Sequence, residues 1–350
     1  MPVDLSYFTD EQKLETLRES QRARFDDVDD VTRVATLHAQ WRELRGKIDD
    51  YGRDLNKLQK KKIGPLYGKK RRAEGEALEA LNLELEGLLI EKSELERTIA
   101  DAKVELERLA SERDNIHKNI GNLVDPSVPV SQNEDDNAIV GTWGLEGKRA
   151  TTEDLKHHHE LLYMIGGYDP EAGTDVAGHR GYFLTGPGVL LNMALQQYGV
   201  SFLMKKGYTP VQPPFFMKKD VMAETAQLSE FDEALYHVVG ETAIDSTGEL
   251  KRDENYLIAT SEQPLSAMNR NKVLDESLAE KPVRLAGLSA CFRKEAGAHG
   301  RDAWGIFRVH QFDKVEQFCI TSPDQSVQEH EKMRECAEEF YQALGLPYQG

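Results

Sequence analysis

The sequence predicts an α+β protein: a long N-terminal antiparallel coiled-coil arm, then a unit in which an antiparallel sheet is flanked by helices. Three observations predict it. Apolar stripes at spacings of three and four run through residues 34–58 and 78–109. After a polar stretch at 125–137 the composition shifts to short strands, glycines and aromatics. A strand, a glycine-rich loop and a second strand span residues 291–320.

The first stripe is Val34, Leu37, Trp41, Leu44, Ile48, Tyr51, Leu55 and Leu58. The second is Leu78, Leu81, Leu85, Leu88, Lys92, Leu95, Ile99, Ala102, Leu106 and Leu109, with Lys92 alone out of character. Such spacing keeps one apolar face toward a partner helix over many turns. Gly64-Pro65 interrupts the pattern, so the two helices are expected to fold back there. At about 1.5 Å per residue the arm projects on the order of 40 Å.

Charge along the arm is uneven. Nine basic residues (Arg53, Lys57, Lys60, Lys61, Lys62, Lys69, Lys70, Arg71 and Arg72) face one acid, Asp54, between positions 53 and 72. From Glu74 to Asp114 acids outnumber bases by 13 to 5. A solvated coiled-coil surface and a phosphate-gripping tip both fit, and the arm alone leaves them open.

The whole chain, with 44 Lys and Arg against 61 Asp and Glu, carries a net charge of −17. That excludes a general nucleic-acid binder and leaves only a local basic patch for such contact. Its 350 residues, 39% of them hydrophobic, suit two or three domains with a sizeable core. Cys291, Cys319 and Cys336 show no ligand spacing, and no signal pattern or membrane-length apolar run occurs, so a cytosolic protein is expected. His157-His158-His159 opens a helix, where neighbouring side chains diverge, so no metal site is assigned.

In the second unit, residues 188–206 read as a buried amphipathic helix through Leu191, Leu195, Tyr198 and Phe202. A strand over 208–211 follows and stops at Pro213-Pro214. Residues 241–254 read as a surface turn before a strand at 256–260, and 326–344 as a helix stopped by Gly345. In the 291–320 hairpin, alternation puts Arg293 and Glu295 on one face of the first strand. Arg308, His310, Phe312, Lys314 and Glu316 share a face of the second, while Phe307, Val309, Val315 and Cys319 point away. Arginine, an aromatic ring and carboxylates on one face suit a nucleotide. Thr260 and Glu262, beside Ser261 at a strand end, offer paired polar contacts, although as a tripeptide they equally suit a loop cap.

At this point the chain resembles the cytosolic, eukaryotic-type seryl-tRNA synthetases, class II aminoacyl-tRNA synthetases. The residues that carry the resemblance are ESQRARFDDV, GYDPEAGTDVAGHRGYFLTGPGVLLNMAL, KKGYTPVQPP, TAQLSEFDEALYHV, IATSEQP and the block from CFRKE to KVEQF. The resemblance implies a tRNA-binding domain with its arm over 1–124, a linker over 125–137 and a class II catalytic domain over 138–350. Within the last, the helix from Gly188 and the strand ending at Pro214 are similar to motif 1, the dimer element, and 292–317 to motif 2. It implies ATP and Mg²⁺ as cofactors, serine and tRNA(Ser), with tRNA(Sec) a further acceptor, as substrates, and a homodimer in the cytoplasm. By the same resemblance Arg293 meets the α-phosphate and the serine carboxylate, Glu295 the adenine amino group, Phe312 the adenine face, Val309 the nucleotide through its backbone and Arg308 the triphosphate. Lys294 falls in the same nucleotide set. Thr260, Ser261, Glu262 and Glu316 become serine contacts, Arg293, Arg308 and Glu316 the catalytic set, residues 296–306 an approach to the tRNA acceptor end, and the nine basic arm residues tRNA contacts.

Nothing in the chain matches motif 3, the acidic magnesium strand or the remainder of the serine pocket, so magnesium ligands are expected beyond residue 350 and the sheet is expected to have an open edge. A piece of a complete synthetase is the favoured reading. A truncated, synthetase-like tRNA-binding protein without activation chemistry is the alternative, and a purely structural coiled coil the weakest.

Overall fold

The computed structural model describes residues 3–145, 155–225, 234–240, 254–295 and 304–350. It divides into two compact units, Met1–Ala138 and Ile139–Gly350.

In the first unit, α1 (Glu11–Arg24) starts at Asp10, whose carboxylate accepts the N–H groups of Gln12 and Lys13. It ends at Phe25 in the left-handed region. A second aspartate cap, Asp27, opens α2 (Val28–Lys57). Val3, Phe8, Leu14, Leu17, Val31, Val34 and Ile120 close a core at the base of the arm. Beside it the buried Arg113 meets Nδ1 of His38 at 3.3 Å and lies over the Trp41 ring.

The arm departs from expectation at its turn. No reversal occurs at Gly64-Pro65: α2 runs through a π-helical segment, Leu58–Ile63, into α3 (Gly64–Lys70). The Gly64 N–H reaches back five residues to the Gln59 carbonyl, and this wider π turn accommodates Pro65, whose ring and missing N–H would kink a regular α-helix. The chain reverses instead over residues 71–75, and α4 (Glu76–His117) descends. Every residue of both apolar stripes is at least partly buried, Lys92 included. Leu58, Ile63, Leu66 and Leu85 form a closed cluster near the turn.

The second unit begins with α5 (His158–Met164), β2 (Tyr168–Asp169) after the short β1 (Thr142–Trp143), α6 (Pro170–Ala177), β3 (Phe183–Leu184) and α7 (Gly186–Lys205). Then come β4 (Thr209–Val211), β5 (Phe216–Lys218), α8 (Lys219–Met222), β6 (His237–Val239), β7 (Glu254–Leu257) and α9 (Glu262–Met268). The long hairpin β8 (Val283–Phe292) and β9 (Gln311–Ile320) precedes α10 (Ser326–Ala343), and β10 (Tyr348–Gln349) pairs with β1. One sheet is ordered β4-β8-β9, with β4 parallel to β8 and β8 antiparallel to β9. The other, β5-β7-β6, is antiparallel. The sheets are tied where the Phe292 N–H meets the Ile258 carbonyl (2.8 Å) and the Lys294 N–H meets that of Ala234 (3.0 Å). Among the described residues β9 has a free edge.

Three further expectations are corrected. The ladder of the hairpin stops at Phe292 and resumes at Gln311, so Arg293, Glu295, Arg308 and His310 lie beyond it and strand alternation does not govern them. The strand before Thr260 ends at Leu257, because Ser261 opens α9. The α7 helix is not buried: Leu191, Leu195 and Tyr198 are 50%, 47% and 37% exposed, because the sheet takes only its Gly199–Leu203 side. The turn expected over 241–254, up to residue 253, and the loop residues 296–303, with His299, lie outside the described residues.

One ion pair clamps α10 to the sheet. Arg284 of β8 holds both oxygens of Glu329, whose side chain is only 2% exposed. Hydrogen bonding and charge from Arg284 keep the Glu329 carboxyl below its ordinary range despite burial. Arg284→Met leaves that carboxylate buried with Lys332 and the Cys319 thiol beside it, and should cost about 3–5 kcal/mol of stability. The pair's contribution is fully present above pH 4.5 and is lost as pH falls through the lowered value of the folded state. Thermal unfolding of wild type and variant across that range should therefore converge in acid.

Candidate active site

The centre of the site is Glu316, on β9 opposite Gly287 of β8. Its carboxylate takes the Thr260 hydroxyl at 2.7 and 2.8 Å, the Ser261 hydroxyl at 2.6 Å and the Glu262 backbone N–H at 3.2 Å. Lys314, two residues earlier on the same face, donates to Thr260 Oγ1 at 2.8 Å and lies 3.4 Å from Glu316. Burial pushes the Glu316 carboxyl up. The Ser261 and Thr260 hydroxyls and the Lys314 charge outweigh it and hold the group below the usual carboxylate range. The result is a half-buried, ionised carboxylate set among hydroxyls.

The local sequence explains this gathering. Ser261 starts α9 at the end of the β7 segment, which puts its fully buried side chain over β8. There Gly287 leaves the room it needs: a Cβ at 287 would lie 2.2 Å from the Ser261 hydroxyl. A lone glycine inside a strand marks such close approach and could have been read from the sequence; it was missed. Glu262 contributes its backbone N–H to the carboxylate, and its side chain is exposed.

Further along the same face lies a cavity of about 470 Å³ lined by Arg293, Glu295, Ile306, Phe307, Arg308, Val309 and Phe312. The Arg293 guanidinium lies 5.4 Å over the Phe312 ring. Arg308 pairs with Glu295 at 3.2 Å, and Glu295 adopts a left-handed backbone with φ of +50°. Two hydrogen bonds hold the mouth: the Arg293 N–H donates to the His310 carbonyl, and Nδ1 of the His310 side chain meets the Arg293 carbonyl, both at 3.0 Å. Lys294 spends its N–H on Ala234 and does not line the cavity. Two arginines, a ring and a carboxylate around an open cavity can take a polyphosphate, a flat base and an exocyclic amine.

On the arm, Arg53 pairs with Asp50, Lys57 with Asp54 (2.9 Å) and Lys62 with Glu91 (4.0 Å). Lys60, Lys61, Lys69, Lys70, Arg71 and Arg72 make no ion pair among the described residues. Among those residues no three His, Cys, Asp or Glu side chains gather to hold a metal ion.

Comparison with known proteins gives consistent similarities. Residues 3–124 match the model of the seryl-tRNA synthetase N-terminal domain, and residues 246–350 that of the tRNA synthetase class II core domain (G, H, P, S and T). The chain is 45% identical to the cytoplasmic serine–tRNA ligase of Candida albicans, covering 95% of this chain and 69% of that protein. It is likewise 45% identical to that of Dictyostelium discoideum, covering 95% and 67%. Among solved structures it is similar to the cytoplasmic serine–tRNA ligase of Naegleria fowleri in complex with AMP: TM-score 0.80, 40% identity, all of this chain and 74% of that one. The seryl-tRNA synthetase of Pyrococcus horikoshii complexed with ATP gives a TM-score of 0.78 at 30% identity, over 99% and 76%.

The Gly287–Ser261 contact is testable. Gly287→Ala should displace Ser261 from Glu316 and cost about 1–3 kcal/mol through overpacking. The Glu316 carboxyl should then titrate higher, measured by NMR of the labelled carboxyl. An unchanged titration would mean that Ser261 does not help hold the charge.

Proposed function

The chain belongs to the seryl-tRNA synthetase family, and from that membership we propose that its Glu316 and Arg293 sites hold serine and ATP for activation and transfer to tRNA(Ser). The carrying observation is the ionised Glu316, caged by Thr260, Ser261 and Lys314, on the strand face that leads to the Arg293–Phe312 cavity.

Serine fits this arrangement through its ammonium and hydroxyl toward Glu316 and Thr260, with its carboxylate toward Arg293. ATP fits with adenine on Phe312, its amino group at Glu295 and the backbone near Val309, and its phosphates at Arg293 and Arg308. The serine carboxylate is already ionised, so its in-line attack on the α-phosphorus needs no general base. The α-phosphorus–oxygen bond breaks, and pyrophosphate leaves with the electron pair. Alignment and arginine charge supply the acceleration. A terminal ribose hydroxyl of the tRNA then attacks the adenylate carbonyl and AMP leaves. Alanine would leave the buried polar groups unpaired, the stronger form of discrimination.

Magnesium enters this reading as the counter-ion of the triphosphate; the described residues offer no cluster to hold it, and no step is routed through it. The domain division at 1–124, 125–137 and 138–350 belongs to the same proposal. So do the homodimer, through the exposed apolar α7, the cytoplasmic location carried by the relatives' names, and tRNA(Sec) as a second acceptor. The arm supports a tRNA contact: its basic residues flank the turn of an otherwise acidic chain.

Glu316→Gln should weaken serine binding roughly 10- to 100-fold, the loss expected for hydrogen bonds to a charged group. ATP binding should stay within twofold, both read by calorimetry. Serine-dependent ATP–pyrophosphate exchange separates the ligase from a tRNA-binding relative without activation chemistry. Replacing Lys60, Lys61 and Lys62 by Gln should weaken tRNA binding and flatten its log–log salt dependence by about two to three units, at roughly one unit per phosphate contact. An equal loss of serine activation would sink the arm's assignment.

A further inference from the structure

Behind the cavity, segment 304–311 is held through its backbone by side chains that no step of the proposed reaction uses. His158, the first residue of α5, accepts the Ile306 N–H at Nε2, 3.1 Å away. Arg180 donates to the Arg308 carbonyl at 3.0 Å, and the Tyr182 hydroxyl to that of Gln311 at 3.2 Å. The rings of His157 and His159 both stand edge-on to Trp304, and the His158 ring lies against Phe307. Gly305 has a φ of +63°, and a Cβ there would lie 2.4 Å from His158 Nε2 and 2.7 Å from the His159 Cβ. The backbone is therefore shaped to sit on the imidazoles, and only glycine allows it.

We propose that His158 is a positioning residue for the nucleotide wall: its Nε2 fixes Ile306 and thereby aims Phe307 and Arg308 into the cavity. Ile306, Phe307 and Arg308 are three consecutive lining residues, and their peptide planes turn with the Ile306 N–H. The role requires the neutral imidazole with its proton on Nδ1. Burial first, and then the neighbouring His159 and His157, shift His158 toward that neutral form. The inference rests on the reading of this cavity as the ATP site.

The test uses the full 350-residue chain and calorimetric titration with ATP and, separately, with serine. His158→Ala should weaken ATP binding about three- to tenfold, the net loss of one hydrogen bond, and leave serine affinity within twofold. His158→Gln should restore ATP affinity to within about twofold, because its side-chain carbonyl can take the Ile306 N–H. A merely structural histidine would not split the two ligands in this way or be rescued by glutamine. Should His158→Ala fail to fold, Gly305→Ala attacks the same contact from the loop side and carries the same expectation. Unchanged ATP affinity in whichever variant folds, or no rescue by Gln of a folded His158→Ala, overturns the positioning role alone. If the wild-type chain itself binds no ATP, the nucleotide reading falls, and the proposal with it.

Discussion

The second unit is organised around one constraint, the need to keep a half-buried carboxylate ionised at the middle of a strand. Desolvating Glu316 without partners would cost on the order of several kcal/mol. The fold meets that cost by bringing Thr260 and Ser261 from the end of β7 and Lys314 from the same strand, each within hydrogen-bond or ion-pair reach. Gly287 on β8 and the sharp start of α9 follow from it, since a side chain at 287 or a longer β7 would expel Ser261. The face that results is complementary to a small zwitterion at one end and to a nucleotide at the other.

The cavity beside it is built differently. Its residues lie mostly off the ladder, where no strand alternation directs them, and main-chain bonds and a left-handed Glu295 set their positions. Such a wall has little rigidity of its own. The bonds from His158, Arg180 and Tyr182 to its backbone stand in for the ladder that β8 and β9 no longer supply.

The arm solves a separate problem in the other unit. Two continuous apolar stripes make a long projection stable without a globular core, and the outer surface is left free for charge. The π-helical segment carries Lys60, Lys61 and Lys62, and the reversal at 71–75 carries Arg71 and Arg72. Basic residues thus crowd the turn while acids line the descending helix.

Periodicity determined the arm: all its stripe residues, from Val34 to Leu109, pack inward, because a spacing of three and four has one geometric solution. The α10 helix and the second strand of the hairpin, β9, were legible for the same reason, whereas Val283–Ala290 of the first strand, β8, was not read as a strand. Local pattern singled out Glu316, Thr260 and Arg293 as a polar face, and motif resemblance gave them their roles. Three things the sequence did not decide. Helix continuity through Gly64-Pro65 depends on a π turn that local propensity does not foresee. The end of the ladder at Phe292 depends on Lys294 turning to Ala234, three residues before β6. Gly287, His158 and Arg180 matter through contacts with residues far along the chain, His158 with Ile306 148 residues away. A spacing rule reads neighbours along the chain; these roles are set by neighbours in space, which only the packed tertiary structure brings together.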